Sequence, residues 1–399
     1  MSSIQGVRRR TWAEIDLDKA EQNYKTIKNT IGEGVKLCCV IKANAYGHGA
    51  VRMASFYQKL GADYLAVSNI EEALQLRKKK IVIPILILGY TPEECAGILA
   101  LHGITQTVYS YEYGLRLSEC AKKLGVKVKI HIKLDTGMGR IGFLCRKHAN
   151  NELEQVKEIC LKDSLISEGI FTHFAVADEN TDGDGFTAEQ LEQFLYGVSY
   201  LKEKGIEFSI RHCTNSAAIF DHPECHFDMV RAGIVLYGLK PSEKLRHLPE
   251  LQPIMALKSV IAHKKEVYPG ETVSYGRTFL ANRKTTVATV PIGYADGLWR
   301  ANGMSECYML VNDRYAPIIG RICMDQLMLD VSEIDCHEGD IVTVFGADRV
   351  CSVDAIARRN GTINYEIVCA VGERVPRAFI CNGTIHDWQD SIYKGDLAP

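Results

Sequence analysis

Eight short apolar or alternating runs within the first 240 residues, most of them separated by segments of helical periodicity, constrain this chain more than any other feature. They fall at residues 37–43, 64–68, 83–90, 106–110, 128–135, 169–175, 210–216 and 229–237, with amphipathic stretches at 51–60, 70–79, 111–124, 152–162 and 187–204 between them. A buried strand followed by a helix, repeated eight times, favours a closed parallel barrel over an open doubly wound sheet. Beyond residue 250 the texture changes to alternating strands and turns, at 285–290, 307–311 and 340–345, with a turn at Asn312-Asp313. The expected fold is α/β: an N-terminal (β/α)8 TIM-like barrel over residues 1–250 and a C-terminal mostly-β domain over 251–399, joined between Pro241 and Pro253.

Charge and cysteine usage exclude several classes of function. Lys and Arg number 47 against 49 Asp and Glu, without a long basic block, so no nucleic-acid partner is expected. No apolar run approaches the roughly 18 residues of a membrane span, and Met1-Ser-Ser-Ile lacks the apolar segment of a signal peptide, so a cytoplasmic protein without a membrane partner is expected. The 14 cysteines are dispersed and include no C-x-x-C pair, which reads as reduced thiols. His212-Cys213 and Cys225-His226 fit no zinc spacing, and no metal is expected.

In a (β/α)8 barrel the chemistry sits at the C-terminal ends of the strands. Lys42 ends the first run, Arg140 follows the fifth, His173 lies near the end of the sixth, Asn215-Ser216 close the seventh, and Arg231 and Gly233 belong to the eighth. A strand-terminal lysine is either a solvated cap or, once partly desolvated, a nucleophile toward aldehydes, of which pyridoxal 5'-phosphate is the one that suits such a site. Gly137-Met-Gly-Arg140-Ile-Gly142 matches the dinucleotide pattern, but the bulky Arg140 occupies the turn and no strand ends in an acidic residue about twenty positions on, which excludes a Rossmann site.

Nine ordered segments together resemble one family, the bacterial alanine racemases, which are fold-type III pyridoxal phosphate enzymes. They are Val40-Ile-Lys-Ala-Asn-Ala-Tyr-Gly-His-Gly49, Lys133-Leu-Asp-Thr-Gly-Met-Gly-Arg-Ile-Gly142, Thr172-His-Phe-Ala175, Asn215-Ser-Ala-Ala218, Val230-Arg-Ala-Gly-Ile234, Val273-Ser-Tyr-Gly276, Pro291-Ile-Gly-Tyr-Ala-Asp-Gly297, Gly320-Arg-Ile-Cys-Met-Asp325 and Asn364-Tyr-Glu366. The resemblance implies that Lys42 carries the cofactor and acts as the base on one face of the substrate, with Tyr275, tuned by His173, on the other. It implies a head-to-tail homodimer in which Tyr275 serves the partner's barrel. Arg231 would face the pyridine nitrogen, and Tyr46, Ser216, Tyr365, Gly233 and Ile234 would hold the phosphate, with Asn215 beside them. Ser216 could also cap a helix at Ala217. Arg140 would hydrogen-bond the cofactor phenolate and, with the Met324 amide, bind the substrate carboxylate, Lys133 would be carbamylated, and Arg300 and Arg321 would line the substrate's approach. D-alanine for peptidoglycan is the expected product. A serine or broad-specificity small amino-acid racemase is the alternative within the class. From other classes come a non-catalytic pyridoxal phosphate carrier, which the β domain disfavours, and a fold-type III decarboxylase, whose glycine-rich phosphate loop and cysteine base do not appear.

Overall fold

The computed structural model describes residues 9–147, 150–179, 181–304 and 307–392, without the side chains of residues 181–184 and 304. The chain forms two compact units, one of Glu21–Ala45 and Ala50–Leu251, the other of Met1–Ala20, Tyr46–Gly49 and Gln252–Pro399.

The first unit is the barrel. Its strands are β2 (Lys36–Val40), β3 (Tyr64–Val67), β4 (Ile85–Ile87), β5 (Ile104–Val108), β6 (Val128–Asp135), β8 (Leu165–Phe171), β9 (Ile210–His212) and β10 (Met229–Ala232), with β1 (Thr11–Asp16) in the other unit and a two-residue β7 (Phe143–Leu144) beside β6. The barrel strands run parallel in the order β10-β2-β3-β4-β5-β6-β8-β9. Asp228 N donates to Arg211 O (3.2 Å) and Arg231 N to Thr214 O (3.1 Å), which brings the first and last members of the row together. All eight apolar runs overlap a strand, although β2, β5 and β8 begin one, two and four residues before theirs. The run at 229–237 breaks at Gly233, whose ψ of −104° ends the extended chain, and continues as a 3-10 turn at Ile234–Tyr237. Helices start where small polar residues cap them: Asn69 accepts from Glu72 N, and Ser110 from Tyr113 N.

The second unit is mostly β. Its strands are β11 (Met255–Val260), β12 (His263–Val267), β13 (Thr272–Val273), β14 (Phe279–Leu280), β15 (Thr285–Val290), β16 (Tyr308–Val311), β17 (Arg314–Pro317), β18 (Leu327–Asp330), β19 (Ile341–Phe345), β20 (Arg377–Cys381) and β21 (Thr384–Gln389). A seven-stranded sheet runs β17-β16-β19-β11-β1-β20-β21, beside a three-stranded sheet β12-β15-β18 and the hairpin β13-β14. The turn at Asn312-Asp313 is present, with both residues at positive φ.

The expected domain boundary needs correction at the N-terminus. β1 pairs antiparallel with β11 (Thr11↔Ser259) and parallel with β20 (Ala13↔Arg377), so the start of the chain is a central strand of the β unit rather than part of the barrel. Trp12, Ala13 and Ile15 are buried there. Tyr46–Gly49 also belong to this unit, held by Arg377. Its buried guanidinium donates to the carbonyls of Gly47 (2.9 Å), Gly372 (2.7 Å), Val371 (2.7 Å) and Val375 (2.5 Å). Burial lowers the Arg377 pKa to about 10, which leaves it charged at neutral pH.

Arg377→Ala strands these four carbonyls and is expected to destabilise the β unit by about 3 kcal/mol or more. Thermal unfolding followed by circular dichroism measures this, and an unchanged melting temperature contradicts the assigned role.

Candidate active site

The carboxyl ends of the barrel strands gather four basic side chains. Lys133, the sixth residue of β6, is buried, and burial lowers its pKa to about 7, helped by Arg140, Arg231 and Lys42 and opposed by Asp135. The same four basic residues surround His173, whose pKa lies well below the ordinary histidine value, first through burial and then through Arg231, Arg140, Lys133 and Lys42. Thus Lys42, Arg140, His173 and Arg231, expected at one rim, do come together, with Lys133 among them.

Arg231 is the most constrained of them. It is 3% exposed, and its Nη1 donates to His212 Nδ1 (2.8 Å) and His212 O (3.2 Å). Its Nη2 reaches Thr172 O (2.9 Å), Cys213 O (3.0 Å) and His173 Nδ1 (3.3 Å). Phe171 lies below, its ring centroid 5.3 Å from the guanidinium carbon and 5.8 Å from Lys133 Nζ, and it stacks on His212 at 4.6 Å. Burial lowers the Arg231 pKa only to about 10, so the group remains a cation at neutral pH.

The loop after β2 carries Lys42 into an unusual turn. Ala43, Asn44, Ala45 and Tyr46 all have φ between 52° and 54°, a left-handed turn that L-residues adopt at a cost of roughly 1–2 kcal/mol each. Glu72 offsets part of this: one carboxylate oxygen accepts from Ala43 N and the other from Ser68 N, both at 2.7 Å. Asn44 Oδ1 accepts from Ala50 N (2.8 Å).

The turn that bears Arg140 is built by Asp135, whose Oδ1 accepts from Gly137 N and Gly139 N, each at 3.0 Å. Gly142 has φ 138°, and a Cβ there would lie 2.7 Å from Asp135 N, so this glycine permits the chain to cross β6. The glycines of the segment therefore serve the turn. Gln190, fully buried, fixes the neighbouring loop by donating to His173 O (3.1 Å) and Thr136 Oγ1 (3.2 Å) and accepting from Ala175 N (2.9 Å).

At the last two strands, Ser216 Oγ accepts from Gly233 N at 2.8 Å, which places Ser216, Gly233 and the start of Ile234–Tyr237 together. The expected capping by Ser216 is not observed: Asn215 Oδ1 accepts from Ala217 N and Ala218 N, both 3.1 Å, and the helix begins at Ala218. Asn215 serves those amides, and Ser216 serves Gly233.

The β unit holds the remaining residues in two groups. Tyr46 and Tyr365 have ring centroids 5.9 Å apart, and burial raises the Tyr46 phenol pKa. A Cβ at Gly47 would fall 2.1 Å from Val368 O, so only glycine lets Tyr46–Gly49 lie against this segment. In the second group Ser274, at φ 68°, donates to Arg321 O (2.6 Å), and a Cβ at Gly276 would meet Arg321 Nη1 at 2.8 Å. Gly303 closely approaches Gly320 and Arg321, which brings the 3-10 turn Arg300–Met304 to the same place. Tyr294 N and Ala295 N donate to Cys323 O and Met324 O, both 3.1 Å, fixing the loop of Met324. Tyr275 and Met324 are 68% and 52% exposed, so the phenol expected to act on substrate and the residue whose amide is expected to bind it both lie at the surface of the β unit.

A barrel whose rim gathers a strand-end lysine, two arginines and a second lysine presents a basic site suited to anionic ligands. Residues 15–241 match the profile of the alanine racemase N-terminal domain, and residues 254–379 that of the C-terminal domain. Alanine racemase 1 of Clostridium acetobutylicum is 43% identical over 381 residues, covering 94% of this chain and 97% of the relative. Among solved structures, an alanine racemase of Clostridium difficile 630 superposes with a TM-score of 0.92 at 41% identity, over 97% of this chain and all of that one. An alanine racemase of Bacillus anthracis with bound L-Ala-P gives a TM-score of 0.89 at 36% identity, over 96% and 98%. The chain belongs to the alanine racemase family.

Glu72→Ala removes the acceptor that holds the left-handed turn and is expected to cost about 1–2 kcal/mol and to speed amide exchange at Ala43 and Ser68. Hydrogen exchange by mass spectrometry over residues 36–50 and 64–72 reads this directly, and unaltered protection rules out the role.

Proposed function

We propose that the chain racemises alanine with pyridoxal 5'-phosphate held by Lys42, using Lys42 and Tyr275 as bases on opposite faces of the substrate. Racemisation of alanine itself rests on family membership over nearly the whole chain. The observation that carries the cofactor reading is the convergence of Lys42, Lys133, Arg140 and Arg231, with Asp135 as their acidic neighbour. This donor set fits a group bearing a phenolate and a phosphate. When bound, pyridoxal 5'-phosphate withdraws electrons from the substrate's α-carbon and acidifies its proton.

The residues divide the remaining work. Lys42 accepts or returns the proton on one face, and the Tyr275 phenol does so on the other. Arg231, a cation fixed by five acceptors, donates toward the ring nitrogen and leaves it without a proton, which weakens the electron sink and limits side reactions. Its hold on His173 Nδ1 fixes that ring's tautomer, so His173 presents Nε2–H as a donor to tune the tyrosine. Arg140 and the Met324 amide bind the substrate carboxylate. Phosphate donors are proposed from Gly233 N, Ile234 N, Ser216, Tyr46 and Tyr365, with Asn215 shaping the loop. Arg300 and Arg321 line the approach path, and a gate of Tyr275 and Tyr365 admits small side chains, favouring alanine over larger substrates. We assign the active form to a head-to-tail homodimer whose Tyr275 serves the partner's barrel. We assign the protein to the cytoplasm, where its 14 dispersed cysteines would be kept as thiols. No described helix is long and apolar enough to cross a membrane. The D-alanine is assigned to peptidoglycan synthesis.

A chiral assay of the protein with pyridoxal 5'-phosphate, given L-alanine and L-serine separately, tests the function: faster D-alanine formation is expected, and faster D-serine moves the substrate assignment. Lys42→Ala should lose the visible absorbance of bound cofactor together with activity. Tyr275→Ala should keep the absorbance and lose about 10²–10⁴-fold in rate. If Tyr275 crosses between subunits, mixing and re-associating the two inactive variants restores one intact site per hybrid dimer. No recovery in verified hybrids assigns Tyr275 to its own chain's barrel.

Lys133 is proposed to add carbon dioxide. Its amine nitrogen forms the N–C bond and loses a proton, which turns a repelled cation into an anion able to orient Arg140. With a pKa near 7 about half the amine is already neutral at that pH, and the reactive fraction grows as pH rises. Labelling with ¹³C-bicarbonate should give a carbamate signal that increases through pH 7 and disappears in Lys133→Ala. A signal that persists in that variant refutes the assignment.

A further inference from the structure

A line of buried polar side chains runs from Arg231 toward the amino ends of the strands, and the reading given so far uses only its first member. His212 Nδ1 faces Arg231 Nη1 at 2.8 Å, and an arginine can only donate, so His212 Nδ1 is the acceptor and its proton resides on Nε2. His212 Nε2 lies 2.9 Å from His131 Nδ1, which must then accept, leaving the His131 proton on Nε2. Glu168 Oε2 lies 3.4 Å from that nitrogen, within reach of its charge though outside hydrogen-bond geometry. His131 and His212 are both completely buried. The two hydrogen bonds thus donate in one direction, from the guanidinium toward the Glu168 carboxylate.

The backbone is shaped to permit this. β6 and β8 pair Ile130 with Ser167 and His131 with Gly169, so Glu168 is an extra residue, a bulge in a parallel pair where bulges are rare. A Cβ at position 169 would lie 2.6–2.7 Å from the His131 ring atoms, so only glycine admits the imidazole. Glu168 Oε2 also accepts from Tyr64 Oη (2.5 Å) and Oε1 from Lys129 Nζ (3.2 Å). The His131, Tyr64 and Lys129 contacts lower the carboxyl pKa to about 2 despite partial burial, so Glu168 is an anion at neutral pH. Burial lowers the pKa of both histidines, with Arg231 adding to it, so they are neutral and pass polarity by their tautomers.

We propose that Glu168 is a positioning residue for the racemase reaction, fixing the tautomers of His131 and His212 so that His212 presents a bare Nδ1 to Arg231. It acts at a distance on the group that sets the electronics of the proposed cofactor, and in this it rests on that reading. The geometry also says what a neutral isostere does. In Glu168→Gln, Lys129 claims the amide oxygen, and the amide NH2 turns to the Tyr64 and His131 side. A donor opposite His131 Nε2 drives its proton to Nδ1. His212 then receives a hydrogen bond at Nε2, carries its own proton on Nδ1, and meets the Arg231 donor head on.

The test is ¹⁵N NMR of the holoenzyme labelled at histidine, with His131→Gln and His212→Gln variants for assignment. The wild type should show His131 and His212 as neutral Nε2–H tautomers, and Glu168→Gln should move His212 to Nδ1–H. In the same variant kcat should fall about tenfold with KM changed less than twofold, and Glu168→Asp, which keeps the charge, should recover most of it. An Nδ1–H His212 in the wild type, or Glu168→Gln with unchanged tautomers, overturns the proposal. Correct tautomers with unchanged kcat overturn the role in the reaction. The tautomers are read without turnover, so an absence of racemisation in the wild type counts against the function and not against the chain from Arg231 to Glu168.

Discussion

Arg231 carries a full positive charge into the barrel interior with neutral acceptors in place of a carboxylate. Such a group is tolerated only if nearly every N–H finds an acceptor, and here three carbonyls and two ring nitrogens supply them. That requirement reaches far. Thr172, His212 and Cys213 present their carbonyls inward at the ends of β8 and β9, and His212 and His173 stay neutral to present lone pairs. The flat face of Phe171 is turned to the guanidinium. A carboxylate in the same place would neutralise the charge and remove the electrostatic reason for the arrangement.

The same field organises the other basic residues. Lys133 sits beside Arg140 and Arg231, and the balance of burial and repulsion brings its amine near neutrality, while Asp135 spends one oxygen on the turn amides of Gly137 and Gly139. Excess positive potential is what an anionic cofactor and a carboxylate substrate find useful. The strain of the left-handed turn after Lys42 belongs to the same design. Strain of this kind persists only where neighbours over-determine it, and Glu72, Asn44 and the close-packed Gly47 do so.

Much of this was legible in the sequence because it is local. Strand runs and helix periodicity report burial within a few residues, so all eight barrel strands could be read from them. The residues of the site lie at strand ends, where an isolated Lys42 or Arg231 after an apolar run is visible. What was hidden depends on long-range pairing. Thr11–Asp16 reads as a strand only once β11 and β20 are there to flank it. His131, His212 and Glu168 look like unrelated polar residues because the chain separates them by tens of positions and a bulge redirects the last. Ala43, Asn44 and Ala45 carry no glycine, the usual mark of positive φ, so the left-handed turn left no local trace.

Tautomer is the property that connects these scales. A neutral imidazole has one donor and one acceptor, so a row of them is polar, and its direction is set by whichever end is unambiguous. In this barrel both ends are: an arginine that can only donate and a carboxylate that can only accept. The interior histidines then have no freedom, although neither carries a charge. A row ended by two donors would contain one frustrated contact, and the guanidinium, with the largest desolvation cost, is where that frustration would be felt most. The bulge at Glu168 is in this sense as much a part of the setting of Arg231 as the residues that touch the guanidinium.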